Sequence, residues 1–401
     1  MMSVPTAVTE IEHCRVCGSP ALEPVFSLGD LYVSDFVRDR DAAGIKGPLD
    51  LVLCEKCTLL QLKHTAPQEI LYARHYWYRS GVTETMRRAL RDVAESVERL
   101  VSPADGAIVL DIGANDGTLL AAYGNETLRR VGCEPANNLV GHLRQVTPHV
   151  IHGFWERDAF ERMFPGEKAI AITAIGMFYD MDDPNTFIAD AASVLAHDGV
   201  FVAQLMCLRP MLETNDVGNI CHEHLEYYSL ESLQYLFEHN GLEIFALEEN
   251  DVNGGSYRLF ARKYRSGSMA LADRFRKQDY LDFYARVERN RNECVTFIKG
   301  EVAKGKKVYV YGASTKGNTI LQYYGLTHEW ISGAAERSPE KFGTYTVGTL
   351  IPIVPEEEAR KEADYFLVLP WAFLNEFLRR ESDWRAAGGK FIVPLPEVRV
   401  L

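Results

Sequence analysis

A chain of 401 residues is long enough for two or three domains at roughly 150 residues each. Its hydrophobic content of 47% and charged content of 25% are those of a globular protein, and its net charge of −13 argues against broad binding to nucleic-acid backbones, which takes clustered Lys and Arg. Met1 to Glu12 lack the basic start and apolar core of a signal peptide, and no apolar run approaches the roughly 20 residues of a membrane span. The expectation is a soluble, cytoplasmic chain with neither nucleic acid nor membrane as partner.

The first segment is framed by Cys14-Arg15-Val16-Cys17 and Cys54-Glu55-Lys56-Cys57. Each pair sits on a turn that aims two thiolates at one point. Four thiolates fill a tetrahedral zinc shell with no open position, so the expected site is structural, in a zinc-binding domain over 1–75. Such a small domain has little core, and closing a metal site stabilises it. The other cysteines, Cys133, Cys207, Cys221 and Cys294, are scattered, and His13 and His64 read as surface residues. Next comes the aromatic stretch Leu71 to Gly81, with Tyr76, Trp77 and Tyr78. It reads either as packing between domains or as a pocket wall with hydroxyls turned to a polar ligand. Val82 to Leu100 carries apolar residues at spacings of three and four, which predicts a helix.

Val109-Leu110-Asp111-Ile112-Gly113-Ala114-Asn115-Asp116-Gly117-Thr118 is an apolar run that ends in an acid and then opens a glycine-bearing loop. Strand, tight turn and helix start form the geometry that cradles a nucleotide-like ligand. Glu134 ends the next short apolar run, where an acid can accept hydrogen bonds from a ribose diol. The loop departs from G-x-G-x-x-G and resembles the S-adenosylmethionine (SAM) loop of class I methyltransferases. Phe154 and Trp155, after the following run, read as core packing or as a platform for adenine. Ala169 to Ile175 is continuously apolar, as a central parallel strand should be, and Gly176 to Asp180 lies at its carboxyl end. Asp183 and Pro184 then open a helix as N-cap and first-turn residues. The order of elements predicts an α/β fold with a doubly wound sheet.

Asn219-Ile220-Cys221-His222-Glu223-His224-Leu225-Glu226-Tyr227-Tyr228-Ser229 concentrates titratable groups in a loop, just before a helix capped by Ser229. A histidine beside a carboxylate suits general base chemistry near neutral pH. A metal site and a plain polar cap are the competing readings. Asn253-Gly254-Gly255-Ser256-Tyr257-Arg258 reads as a hairpin turn or as a source of amides and Arg258 for a pocket. Leu271 to Lys304 has helical period and connects to a last, smaller α/β unit. That unit opens with a second strand and glycine loop, Val308 to Thr319. Lys316 there can neutralise a diphosphate on the helix amides, and Asn318 rules out a Walker loop.

Taken together, the paired C-x-x-C knuckle, DIGANDGTLL, ICHEHLEYYSL, NGGSYR and YGASTKGNT resemble the sugar C-methyltransferases that act on nucleotide-linked deoxy-ketosugars. The resemblance runs over essentially the whole chain. It implies a class I methyltransferase Rossmann-like sheet with a zinc-binding N-terminal domain and a smaller C-terminal α/β domain. The implied boundaries are 1–75, 76–265 for the SAM domain, 266–300 for the connector and 301–401. It implies SAM and structural zinc as cofactors and a nucleotide-diphosphate 4-ketosugar as substrate. The reaction implied is proton abstraction beside the keto group, then attack of the enolate on the methyl of SAM. His224 is then the general base and Glu223 its partner, with His222 able to share the role and Tyr76 or Tyr78 donating to the enolate oxygen. The cofactor residues implied are Asp111, Gly113, Asn115, Asp116, Glu134 and Gly176. Those for the sugar nucleotide are Arg258, Ser314, Lys316 and Asn318, and those for the metal Cys14, Cys17, Cys54 and Cys57. Cys221 stands where some relatives have tyrosine, and Phe178-Tyr179-Asp180 where some have histidine. Rival functions are a nucleic-acid methyltransferase, a SAM-independent epimerase of the same sugars and a non-catalytic assembly protein.

Overall fold

A computed structural model describes residues 8–41, 44–269, 271 and 273–401. Its centre is a seven-stranded sheet. The strands are β1 (Ile108–Ile112), β2 (Arg129–Glu134), β3 (His149–His152), β4 (Ala169–Ile175), β5 (Leu195–Met206), β6 (Leu242–Asn250) and β7 (Ser256–Lys263). Their spatial order is β6-β7-β5-β4-β1-β2-β3. β7 runs antiparallel to both β5 and β6, and the remaining pairs are parallel. The chain therefore winds outwards in one direction from β1 and in the other from β4. That reversal opens a crevice at the carboxyl ends of β1 and β4, where open α/β sheets hold ligands. Every residue of β1 is buried, as a strand covered on both faces requires.

Helices cover the two faces. Glu84–Val101 begins at Thr83, whose side chain accepts from the Met86 amide. Pro184–Val194 begins at Asp183, which accepts from Thr186 at 3.0 Å. Leu230–His239 begins at Ser229, which accepts from Ser232 at 3.1 Å. Each cap satisfies one of the donors that a helix start leaves open.

The N-terminal part is an antiparallel sheet of Leu22–Tyr32, Lys46–Cys54 and Leu60–Leu62. Its fourth strand is Glu226–Tyr227, lent by the loop that carries His224. The C-terminal part has six strands in the order Ile353–Pro355, Gly333–Glu336, Val308–Tyr311, Tyr365–Leu367, Lys390–Val393 and Arg399–Val400, all parallel but the last. A 27-residue helix, Lys277–Ala303, leads into it. One buried cluster joins Leu51 of the N-terminal sheet, Leu225 of the histidine loop, Phe283 of the long helix and Val310 of the C-terminal sheet. Among the described residues no helix is long and apolar enough to cross a membrane.

Candidate active site

Two cavities open at the carboxyl ends of β1 and β4. The first, of about 340 Å³, is lined by Gly113, Asn115, Glu134, Phe154, Trp155 and Gly176, among others. Gly113 has φ +75°, and a Cβ there would lie 2.8 Å from Cγ of Met177, so both backbone and space call for glycine. The Glu134 carboxylate accepts from the amides of Asn115 at 2.7 Å and Ala136 at 2.8 Å. Burial raises its pKa, and those two amides work against the rise. Phe154 is 41% exposed. Its neighbour Trp155 buries an indole N–H that has no partner. An acid, a close-packed glycine backbone, an exposed aromatic face and a spare donor suit a nucleoside, the ribose and adenine of SAM included.

Two of the expected cofactor residues stand behind the loop instead of on the cavity wall. Asp111 is buried and accepts from the Thr173 hydroxyl at 2.6 Å. Burial pushes its carboxyl up to about 7. Asp116 accepts from the Gly81 amide at 2.9 Å and the Thr118 hydroxyl at 2.6 Å, and so holds the aromatic segment against the helix start.

The second cavity, of about 230 Å³, lies between the central sheet and the C-terminal part. Its walls include Glu223, His224, Tyr179, Lys316 and Trp371. Tyr76, Tyr78, Ser80, Ile175, Gly176 and Asp180 line both cavities, so ligands in the two would meet across these residues.

His224 is held by its ring and its backbone. Nδ1 lies 2.8 Å from the Asn219 carbonyl oxygen. A carbonyl can only accept, so Nδ1 carries the hydrogen and Nε2 is left with its lone pair. The Tyr179 ring meets the imidazole edge-on at 4.6 Å. Burial, followed by the nearby Lys316 cation, lowers its pKa well below the usual 6.5, so the ring is neutral at pH 7. Burial pushes Glu223 up to about 7. Lys316 places Nζ 2.7 Å from Oδ1 of Asn219, the residue whose carbonyl holds His224. Ser314 caps its helix by accepting from Gly317 at 3.0 Å, and it also lines the cavity.

Three more expected residues stand apart from both cavities. His222 directs Nε2 to the Gly47 carbonyl oxygen at 2.9 Å, into the N-terminal sheet, so it cannot share the base role in this arrangement. Arg258 is buried on β7, with Nε 2.8 Å from Gln204 and Nη1 2.7 Å from Asp92 on the first helix. It ties that helix to the sheet and is not part of the pocket. Asn318 donates to the Asp35 carbonyl oxygen at 2.9 Å. The structure adds Asp180, Gln204, Asp216 and Trp371 to the second cavity. Asp180 and Trp371 had a signal in the sequence, since both follow the carboxyl end of a parallel strand.

The four knuckle sulfurs lie within 4.8 Å of one another, with Cys14 and Cys57 at 3.5 Å and Cys17 and Cys54 at 3.4 Å. The set fits one tetrahedral zinc with every position taken by protein. Arg15, inside the first pair, donates to the Leu62 carbonyl at 2.6 Å and to the Thr65 hydroxyl at 2.8 Å, and its Nε lies 3.8 Å from Glu226. Leu62 in turn donates to the Leu225 carbonyl at 2.9 Å, and the Tyr72 hydroxyl donates to that of Glu223 at 2.6 Å. The N-terminal part is thus the backing of the His224 loop.

Three family models match in chain order: the zinc-binding domain over 14–72, the methyltransferase domain over 83–247 and the C-methyltransferase C-terminal domain over 251–396. The C-methyltransferase NovU of Streptomyces niveus is 32% identical over 412 residues, covering 98% of each chain. The chain belongs to the C-methyltransferase family. The C-terminal model of this C-methyltransferase family starts early enough to include β7, which the structure pairs into the central sheet. Solved methyltransferases resemble the chain only distantly. Magnesium protoporphyrin IX methyltransferase from Synechocystis PCC 6803 with bound SAM is 13% identical, with TM-score 0.34, covering 44% of this chain and 79% of that one. CcbJ from Streptomyces caelestis is 15% identical, with TM-score 0.35, covering 44% and 90%.

Proposed function

We propose that this SAM-dependent C-methyltransferase acts on a nucleotide diphosphate-linked 4-keto-deoxysugar and methylates the carbon beside the keto group. The observation that carries the reading is the His224 imidazole, neutral and with Nε2 free, on the wall of a cavity that shares six residues with the cofactor cavity. Gly113, Asn115, Glu134 and the Phe154 face would hold SAM. When bound, SAM supplies a methyl group on an electrophilic sulfonium.

His224 Nε2 takes the proton from the carbon beside the keto group, and the C–H electron pair moves into an enolate. The Tyr76 hydroxyl donates a hydrogen bond to the enolate oxygen. Burial raises its pKa well above 10, so it keeps its proton while doing so. The enolate carbon would then take the methyl group that SAM supplies, the sulfur keeping the electron pair of the broken bond, and the ketone would be restored. Glu223, next in the chain and pushed up to about 7, exchanges the proton held by His224 with solvent. Zinc in the four-cysteine knuckle would have no part in these steps. It would hold the sheet on which the His224 loop rests.

The test uses a thymidine diphosphate-linked 4-keto-6-deoxyhexose in deuterated water. His224→Ala is expected to bind SAM as the wild type does by calorimetry and to lose deuterium exchange at the acidic carbon by at least about 10²-fold. Normal exchange in that variant removes the base assignment. Mass spectrometry with SAM should show the sugar gain one methylene unit.

A further inference from the structure

Asp180 is an acid that the steps above leave idle. It follows β4 at its carboxyl end and belongs to the wall that the two cavities share. The residue is 5% exposed, and its Oδ1 is sealed from water with no hydrogen-bond partner. Its backbone is fixed on both sides. Its amide donates to the Met177 carbonyl at 3.2 Å, and its own carbonyl accepts from Gln68 at 2.8 Å. The preceding carbonyl, of Tyr179, accepts from both Leu225 and Glu226. The backbone that carries the carboxyl is therefore held in place. A buried carboxyl oxygen with no partner is costly, and such groups persist where a ligand completes them.

The groups around it determine which form it takes. Burial is the largest influence, the carboxyls of Glu223 and Glu226 add to it, and only the Tyr72 hydroxyl and Lys316 oppose it. Together they shift the balance towards the protonated carboxyl. A charged carboxylate beside a forming enolate would repel it. A neutral acid in the same place attracts it without adding a second charge to the cavity.

We propose that Asp180 is a further catalytic residue: from the wall the two cavities share, its carboxyl donates a hydrogen bond to the keto oxygen of the substrate, and this bond strengthens as negative charge gathers there. The inference rests on the enolate reading above. It is drawn from position, because the methyl group and the reacting carbon must meet where the two cavities share a wall. The keto oxygen is attached to the carbon next to the reacting one. The Asp180 proton stays on Asp180 throughout, and the proton lost from carbon goes to His224.

Two variants test it, with exchange and methyl transfer measured on the same 4-keto-6-deoxyhexose nucleotide. Asp180→Asn keeps an uncharged donor and should stay within about tenfold of the wild type in both assays. Asp180→Ala should lose about 10²–10³-fold in kcat while keeping its SAM affinity. Asp180→Ser, too short to reach the same oxygen, takes the place of alanine should that variant not fold. Asparagine as inactive as alanine would mean that a carboxylate is required, and this overturns the proposal. So does an alanine or serine variant as active as the wild type. If the wild type itself exchanges no proton on the ketosugar, the proposed function fails and takes this inference with it. If the wild type exchanges and only the Asp180 pattern departs from expectation, the inference fails alone.

Discussion

The chain builds the same strand–loop–helix start twice, and uses it in two ways. β1 runs into Gly113 at φ +75°, and Val308–Tyr311 runs into Gly312 at φ +86°. In each unit the glutamate that closes the next strand accepts from a loop amide: Glu134 from Asn115 at 2.7 Å, and Glu336 from Ala313 at 3.0 Å. The surroundings then diverge. The first loop faces open space, and Gly113, Asn115 and Glu134 line a cavity. The second is filled from below by Lys341, whose ammonium bonds the Ala313 carbonyl at 2.6 Å and lies 3.5 Å from Glu336. Its helix is covered by the N-terminal part, through Ser34 to the Thr315 carbonyl and Asn318 to the Asp35 carbonyl. What remains free is its rim, and the rim delivers Ser314, Thr315 and Lys316 to the cavity of His224. A glycine loop is therefore a way of placing groups close to a strand end. What it holds depends on which side is left unpacked.

The largest effect should come from the N-terminal part, which covers the second loop's helix and backs the His224 loop. Removing metal with a chelator, or Cys54→Ser, should destabilise the N-terminal part by several kcal/mol, since closing such a site is coupled to folding. Limited proteolysis should then cut near 222–227, the segment that ends in the strand lent to that sheet. A Tm and a cleavage pattern unmoved by the chelator would show that the knuckle does not support the loop. The division of labour itself is tested by a pair of variants. Lys316→Ala should lower methyl transfer about 10²-fold with SAM affinity unchanged, whereas Gly113→Ala should weaken SAM binding about tenfold or more, through positive φ and the Met177 contact. If Lys316→Ala instead weakened SAM and left the rate alone, the two loops would have exchanged roles.

A smaller effect should separate the strands beneath the loops. Asp111 stands two residues before Gly113, and Val310 two residues before Gly312. Burial lifts Asp111 to about 7 in the folded chain, from 3.8. Its contribution to stability is full below pH 3.8 and is lost as pH rises through about 7. Relative to the wild type, Asp111→Asn should gain about 2–4 kcal/mol between pH 4 and pH 8, read from thermal unfolding at each pH. A difference independent of pH would show that Asp111 titrates normally.

Much of this was legible in the residues. The paired cysteines, the run Val109 to Gly113 and the caps Asp183 and Ser229 depend on local spacing, and local spacing shows in a sequence. The histidine loop was legible as a cluster, yet not as a set of roles. His222 and His224 are both next to Glu223, and the Gly47 carbonyl and the Asn219 carbonyl separate them. Arg258 looked available because its partners, Asp92 and Ser96, lie 166 and 162 residues away in the chain. Asp180 was legible as a residue at a strand end, but its lack of a partner was not, because that is a property of everything packed around it.

The sequence alone determined the order of the parts, the doubly wound sheet, the four-cysteine knuckle and the place of the first glycine loop. Each follows from periodicity or spacing within a few tens of residues. The tertiary structure alone decided which histidine faces the cavity, which loop keeps an open side and which acids lose their water. Burial and hydrogen-bond partners come from residues far apart in the chain, and these set the charge and aim of every group in the site.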